Sequence, residues 1–176
     1  MRDFRLYMLV GGMPKAVSTL LETNNLEKVD RVKRGIINLY EKDFNRIDPT
    51  GNASKIFHQI PAQLTGNANR YMTWQATDGT ALSALNEIIS EMKESMVVNI
   101  AYHANDPNAG LALHHSTDNF KLFLADTGLF ITLAFWDKKF TDNIIYHKLL
   151  SDKLAADLGY VYENVVSQIL KSNGNE

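Results

Sequence analysis

The sequence predicts a mainly α fold with a small β component. Apolar residues recur at helical spacing over long stretches, as at Leu82, Leu85, Ile88, Ile89, Met92 and Met96. Only VVNIAYH at 97–103, with LALHH and FKLFLAD after it, has the β-branched and aromatic content of strands. Clusters of turn formers, DPTGN at 48–52 and NDPNAG at 105–110, punctuate the chain.

Taken in order, residues 3–10 read as a short helix that Gly11 ends, because glycine accepts the left-handed conformation of a C-terminal cap. Gly12, Met13 and Pro14 form a corner, and Pro14 suits the first turn of the next helix, whose buried stripe is Val17, Leu20 and Leu21. Asn24 is expected to cap a third helix, with Glu27 in the capping-box position and Leu26, Val29, Val32, Ile36, Leu39 and Tyr40 as its apolar stripe. That helix runs to about Phe44, and DPTGN marks a boundary. A helix carrying Ile56, Phe57, Ile60 and Leu64 follows, with Pro61 expected to kink it or end its regular part.

RYMTWQA is a short second element, residues 80–95 form a longer helix, and the strands close a hairpin with a polar tip. Helix, short helix, longer helix and hairpin is the order of a winged helix-turn-helix. Asp126 can cap a helix through TGLFITLAFW, DKKFTD reads as a linker, and two amphipathic helices close the chain. The last has Tyr162, Val165, Val166, Ile169 and Leu170 as its stripe.

At 176 residues and 45% hydrophobic content, the chain can bury a core without staples. It has no cysteine, which removes disulfides, thiolate metal sites and thiol nucleophiles. A net charge of −2 gives no global field toward nucleic acid or anionic lipid, so any basic surface is local. No apolar run is long enough to span a bilayer, and no membrane contact is expected; the expected location is the cytoplasm.

Four blocks carry a resemblance: LYMLVGGMPKAV at 6–17, INLYEKDF at 37–44, KIFHQIPAQL at 55–64 and FKLFLADTGLF at 120–130, with LGYVYENVVSQIL at 158–170 as a fifth. Together, and in this order across nearly the whole chain, they resemble the domain of unknown function that follows the ATPase core in bacterial and archaeal AAA+ ATPases. The resemblance implies three parts: a helical lid-like segment (1–48), a winged-helix domain (49–136) and the opening helices of a PD-(D/E)XK nuclease-like domain (137–176). It makes Gly12 and Pro14 the corner beside the nucleotide-sensing helix and Glu163 the acidic position of the nuclease-like first helix. Lys15 stands where such proteins usually carry an acid, and is either a phosphate contact or a solvated charge.

The chain on this reading is a C-terminal fragment. It contains no GxxxxGK[ST] loop, so ATP and Mg are expected only in the intact protein, held by the ATPase core that is its first partner. It ends before the aspartate and Glu-x-Lys that a nuclease of this type requires, and one carboxylate cannot assemble a metal site. His114 and His115 are adjacent, so in a strand they point to opposite faces, and His58, His103 and His147 have no chelating spacing. No metal, cofactor or catalytic residue is expected in this chain, and no GxSxG elbow marks a serine nucleophile.

The surface a winged helix would offer to duplex DNA holds Arg70, Trp74, Ser83, Asn86 and Lys93, interrupted by Asp78, Glu87, Glu91 and Glu94. Those carboxylates favour a partner protein over phosphates. The expected function is a non-catalytic interaction and coupling module for an ATPase core. The alternative is a DNA-binding winged-helix module.

Overall fold

A computed structural model describes residues 2–66, 70–73, 80–104, 115–139, 146, 149–151 and 159–174. Among these, seven helices and one two-stranded antiparallel sheet confirm a mainly α fold with a small β component. The helices are α1 (Arg2–Val10), α2 (Pro14–Thr23), α3 (Leu26–Ile47), α4 (Asn52–Thr65), α5 (Leu82–Glu94), α6 (Thr127–Ala134) and α7 (Gly159–Ser172). The strands are β1 (Val98–Ala104) and β2 (His115–Leu124), paired from Val98 opposite Leu124 to Ala104 opposite His115, with an irregularity after Tyr102. No helix among the described residues is long and apolar enough to cross a membrane.

The centre is α6. It is short, but Thr127 through Leu133 are all buried, as expected of a helix apolar on every face. It packs against α1, α3, α4, α7 and β2. Leu129, Phe130, Ile131 and Leu133 join Met8, Leu9, Ile37, Phe57, Ile60, Leu122, Val161 and Val165 in one core. Each such side chain contributes about 1.5–3 kcal/mol by leaving water. A smaller cluster of Val10, Ala16 and Val29 lies under α2.

Side-chain caps set the starts of α3 and α6. Asp126 begins α6 by accepting Leu129 N–H at 2.8 Å, as the sequence predicts. The cap of α3 is Asn25, not Asn24: Asn25 accepts Lys28 N–H at 3.1 Å. Asn24 takes the left-handed conformation (φ 47°) that closes α2, a geometry asparagine tolerates, and Glu27 pairs with Arg31 instead of closing a capping box. Pro61 does not end α4, which continues to Thr65.

Asp48 separates α3 from α4. One carboxylate oxygen accepts Ala53 N–H at 2.8 Å, and the other accepts the N–H and hydroxyl of Thr50. Burial pushes the Asp48 carboxyl up, but hydrogen bonds from the Thr50 hydroxyl and the Ala53, Thr50 and Asn52 N–H groups hold it below its usual 3.8. A depressed carboxylate stabilises the fold above its unfolded pKa and loses that contribution as pH falls through the folded value. Asp48→Ala should therefore cost about 1 kcal/mol at neutral pH. Thermal melts should show the difference shrinking below pH 3.8.

Four apolar stripes differ from expectation. On α3 the buried positions are Val29, Asp30, Lys33, Ile37 and Phe44, while Leu39 is 59% exposed. On α2 the buried residue is Ala16, and Leu21 faces solvent. Met96 is 80% exposed because α5 stops before it and its φ is +56°. On α7 the inward face is Val161, Asn164 and Val165, with Tyr162, Val166, Ile169 and Leu170 exposed. In both α3 and α7 a polar residue takes an inward place because its hydrogen bonds are met inside.

Candidate functional site

The densest buried chemistry sits where α1, α3 and α6 meet. Lys33 is wholly buried and its ammonium donates to Leu9 O at 2.6 Å, Gly128 O at 3.2 Å and Tyr146 Oη at 3.2 Å. An ammonium has three protons, and each finds an acceptor. Leu9 O belongs to the last turn of α1, whose carbonyls have no partner within the helix and attract a cation. Burial lowers the Lys33 pKa to about 8, against the opposing pull of Asp30 and Asp126.

Asp30, one turn earlier on α3, is the counter-charge. Its Oδ1 accepts the Tyr146 hydroxyl at 2.6 Å and the Thr132 hydroxyl at 3.2 Å, and its Oδ2 accepts Arg34 Nε at 2.9 Å. Burial, and then the Asp30 charge, hold the Tyr146 phenol above its ordinary value. The Arg34 guanidinium reaches the carbonyls of Phe135, Trp136 and Lys138 just past α6 and lies 5.1 Å from the Trp136 ring. Arg34 thereby ties α3 to the turn that follows α6. The groove beside it, about 390 Å³ and edged by Glu27, Arg31 and Lys139, has much of its polar wall engaged in these bonds.

At the other end of α6, Asp126 accepts Gly12 N–H at 2.6 Å as well as its own cap bond. Gly11, at φ +78°, brings its backbone so close that a Cβ there would stand 2.2 Å from Asp126 Oδ1. The paired glycines are thus explained by close approach as well as by helix ending. Gly12 spends its N–H on Asp126, Pro14 opens α2, and Lys15 is exposed on that helix's first turn.

Asn164 and Gln168 of α7 dock on the same end. The Asn164 amide accepts Leu124 N–H at 2.9 Å and donates to Leu124 O at 3.1 Å, taking the place of a neighbouring strand beside β2. Gln168 Oε1 accepts both the N–H and the hydroxyl of Thr127. Glu163 is on the outer side of α7 and pairs with Lys121 at 3.0 Å. Among the described residues no group of three or more His, Asp or Glu is placed to hold a metal ion.

The candidates for nucleic-acid or partner contact divide. Arg70 and Asn86 line one shallow cavity of about 210 Å³ with Tyr71, Leu82 and Phe120. Tyr71 is fixed there by its N–H to Phe120 O at 2.6 Å and its hydroxyl to Ile56 O at 2.8 Å. Ser83 lies on the exposed face of α5 with Glu87, Glu91 and Glu94, and the Lys93 ammonium stands 5.7 Å from the Tyr102 ring. Trp74, Asp78, His114 and His147 lie outside the described residues.

Sequence reading missed Asp30, Lys33, Arg34, Tyr146, Asn164 and Gln168. A signal existed for Lys33, which stands in helical register with Val29, Ile37 and Phe44, where an apolar residue belongs.

Fold and site together define a mainly helical domain organised around one buried helix that hydrogen-bonded polar groups close at both ends. The chain belongs to the family described as Domain of unknown function (DUF8612), whose model matches residues 1–139. Neither the curated proteins nor the solved structures contain a match to it.

Proposed function

We propose that this chain is a non-catalytic C-terminal portion of an AAA+ superfamily ATPase, acting in the cytoplasm as an interaction and coupling module for the ATPase core. The observation that carries the reading is the bond from Gly12 to Asp126. It ties the corner that the resemblance places beside a nucleotide-sensing helix to the central helix of the segment assigned to the winged helix. A module built to transmit a change at the corner needs such a rigid tie. ATP and Mg belong, on this reading, to the core, and Glu163 belongs to the opening of a nuclease-like part.

A partner protein fits the exposed face of α5 better than duplex DNA does. That helix carries three glutamates against one lysine, and each carboxylate turned toward a phosphate forfeits counterion release. Duplex DNA remains the second reading because Arg70 and Asn86 share one cavity wall. The test is a fluorescence-polarisation titration of the chain with duplex DNA at two salt concentrations. A flat response at both is expected. Salt-dependent, submicromolar binding that Arg70→Ala or Lys93→Ala weakens would transfer the function to DNA. The link to an ATPase has its own test, a GxxxxGK[ST] loop encoded within about 200 residues upstream, the length of a typical domain.

A further inference from the structure

Segments distant in sequence meet at the first turn of α6. Asp126 holds the α1–α2 corner through Gly12 N–H and the start of α6 through Leu129 N–H. The next residue, Thr127, gives its N–H at 2.9 Å and its hydroxyl at 2.7 Å to Gln168, and its hydroxyl oxygen accepts from Asn164 at 3.3 Å. The amide nitrogen of Gln168 lies 3.7 Å from the place a Cβ on Gly12 would occupy. Asp126 and Thr127 are 3% and 0% exposed, so no solvent stands ready to replace a bond that opens there.

We infer that Asp126 and Thr127 form a joint that couples the α1–α2 corner to the docking of α7, so that drawing Gly12 away from Asp126 loosens α7. Two adjacent residues of one buried helical turn cannot shift independently, because a close-packed interior passes displacement on. By linkage the effect is reciprocal, and loosening α7 loosens the corner. The helix α7 lies beyond residues 1–139 that the family model matches, and besides the core contacts of Val161 and Val165 it is held by two amide side chains and the Lys121–Glu163 pair. The purpose of the joint rests on the coupling function proposed above; its existence does not.

Hydrogen exchange of the full chain, read by mass spectrometry, tests it. Asp126→Asn keeps the shape but can accept from only one of the two N–H groups. Exchange of residues 12–17 and of 161–170 should both become about tenfold faster, with 85–92 in α5 unchanged. Asn164→Asp removes the amide donor to Leu124 O and to the Thr127 hydroxyl and touches no atom of the corner, and should speed exchange at 12–17. Should either variant fail to fold, the unaltered chain in sub-denaturing urea should open both segments at one urea concentration. Unchanged α7 exchange in Asp126→Asn, an unchanged corner in Asn164→Asp, or separate opening of the two segments overturns the joint. Those results would leave the coupling function to its own tests of DNA binding and upstream sequence.

Discussion

Lys33→Met should lower stability by about 3 kcal/mol, the cost of leaving buried carbonyls without their donor. Methionine fills the channel that the lysine stem occupies, so the loss is not a cavity effect. It comes from Leu9 O and Gly128 O, which lose their donor, while Asp30 keeps Arg34. In a chain of this length each kcal/mol moves Tm by about 2–4 °C, so a fall on the order of 10 °C is expected in a thermal melt. Asp30→Asn combined with Lys33→Met should cost less than the sum of the two, because both changes break the one network that runs from Lys33 through the Tyr146 hydroxyl to Asp30.

The pH dependence carries a sign that a surface lysine would not. Folding lowers the Lys33 pKa from 10.5 to about 8, so between those values the unfolded chain holds the extra proton. Stability from this group therefore rises with pH across that window. The buried Tyr71 and Tyr146, whose pKa values are raised, oppose it once the unfolded phenols ionise above 10. Measured from pH 8 toward 10, the gap between the unaltered chain and Lys33→Met should widen. A constant gap would mean that Lys33 is solvated.

How much of this the sequence disclosed depends on which force set each feature. Apolar periodicity and turn chemistry are local, and α4, α5, β1, the FKLFL part of β2 and the Asp126 cap are visible in them, whereas β2 also runs through the polar STDN at 116–119 and most of LALHH lies outside the described residues. The α3 stripe is not, because Lys33 and Asp30 look like surface charges until Tyr146 and the carbonyls of two other helices arrive. The same holds for α7, where the polar Asn164 and Gln168 face inward and apolar Val166 faces out. Choosing the inner face by hydrophobicity alone turns both helices, because a buried amide or ammonium costs little once every donor and acceptor is paired. Of the candidate contacts, Arg70 and Asn86 meet only because Tyr71 is anchored on β2, a long-range contact that spacing cannot reveal.

Gly128→Ala and Gly35→Ala, the same chemical change in two helices, should move stability in opposite directions. Gly35 is on the exposed side of α3, where a Cβ meets nothing within 4 Å, so alanine removes the backbone freedom that glycine brings to the unfolded chain. A gain of up to about 1 kcal/mol is expected. At Gly128 a Cβ would stand 2.3 Å from Val10 O, 2.5 Å from Val10 C and 2.6 Å from Gly11 N. These are backbone atoms that no rotamer change can remove, so α1 and the corner must back away from α6. That movement stretches the Gly12–Asp126 bond and separates Leu9 O from Gly128 O, the two carbonyls that Lys33 bridges. A packing clash whose relief opens two hydrogen-bonded ties should cost about 3 kcal/mol or more. Paired urea denaturations decide the matter. A Gly128→Ala midpoint equal to that of the unaltered chain would mean that the corner rests only loosely on α6, and both the Lys33 bridge and the joint at Asp126 would lose their physical basis.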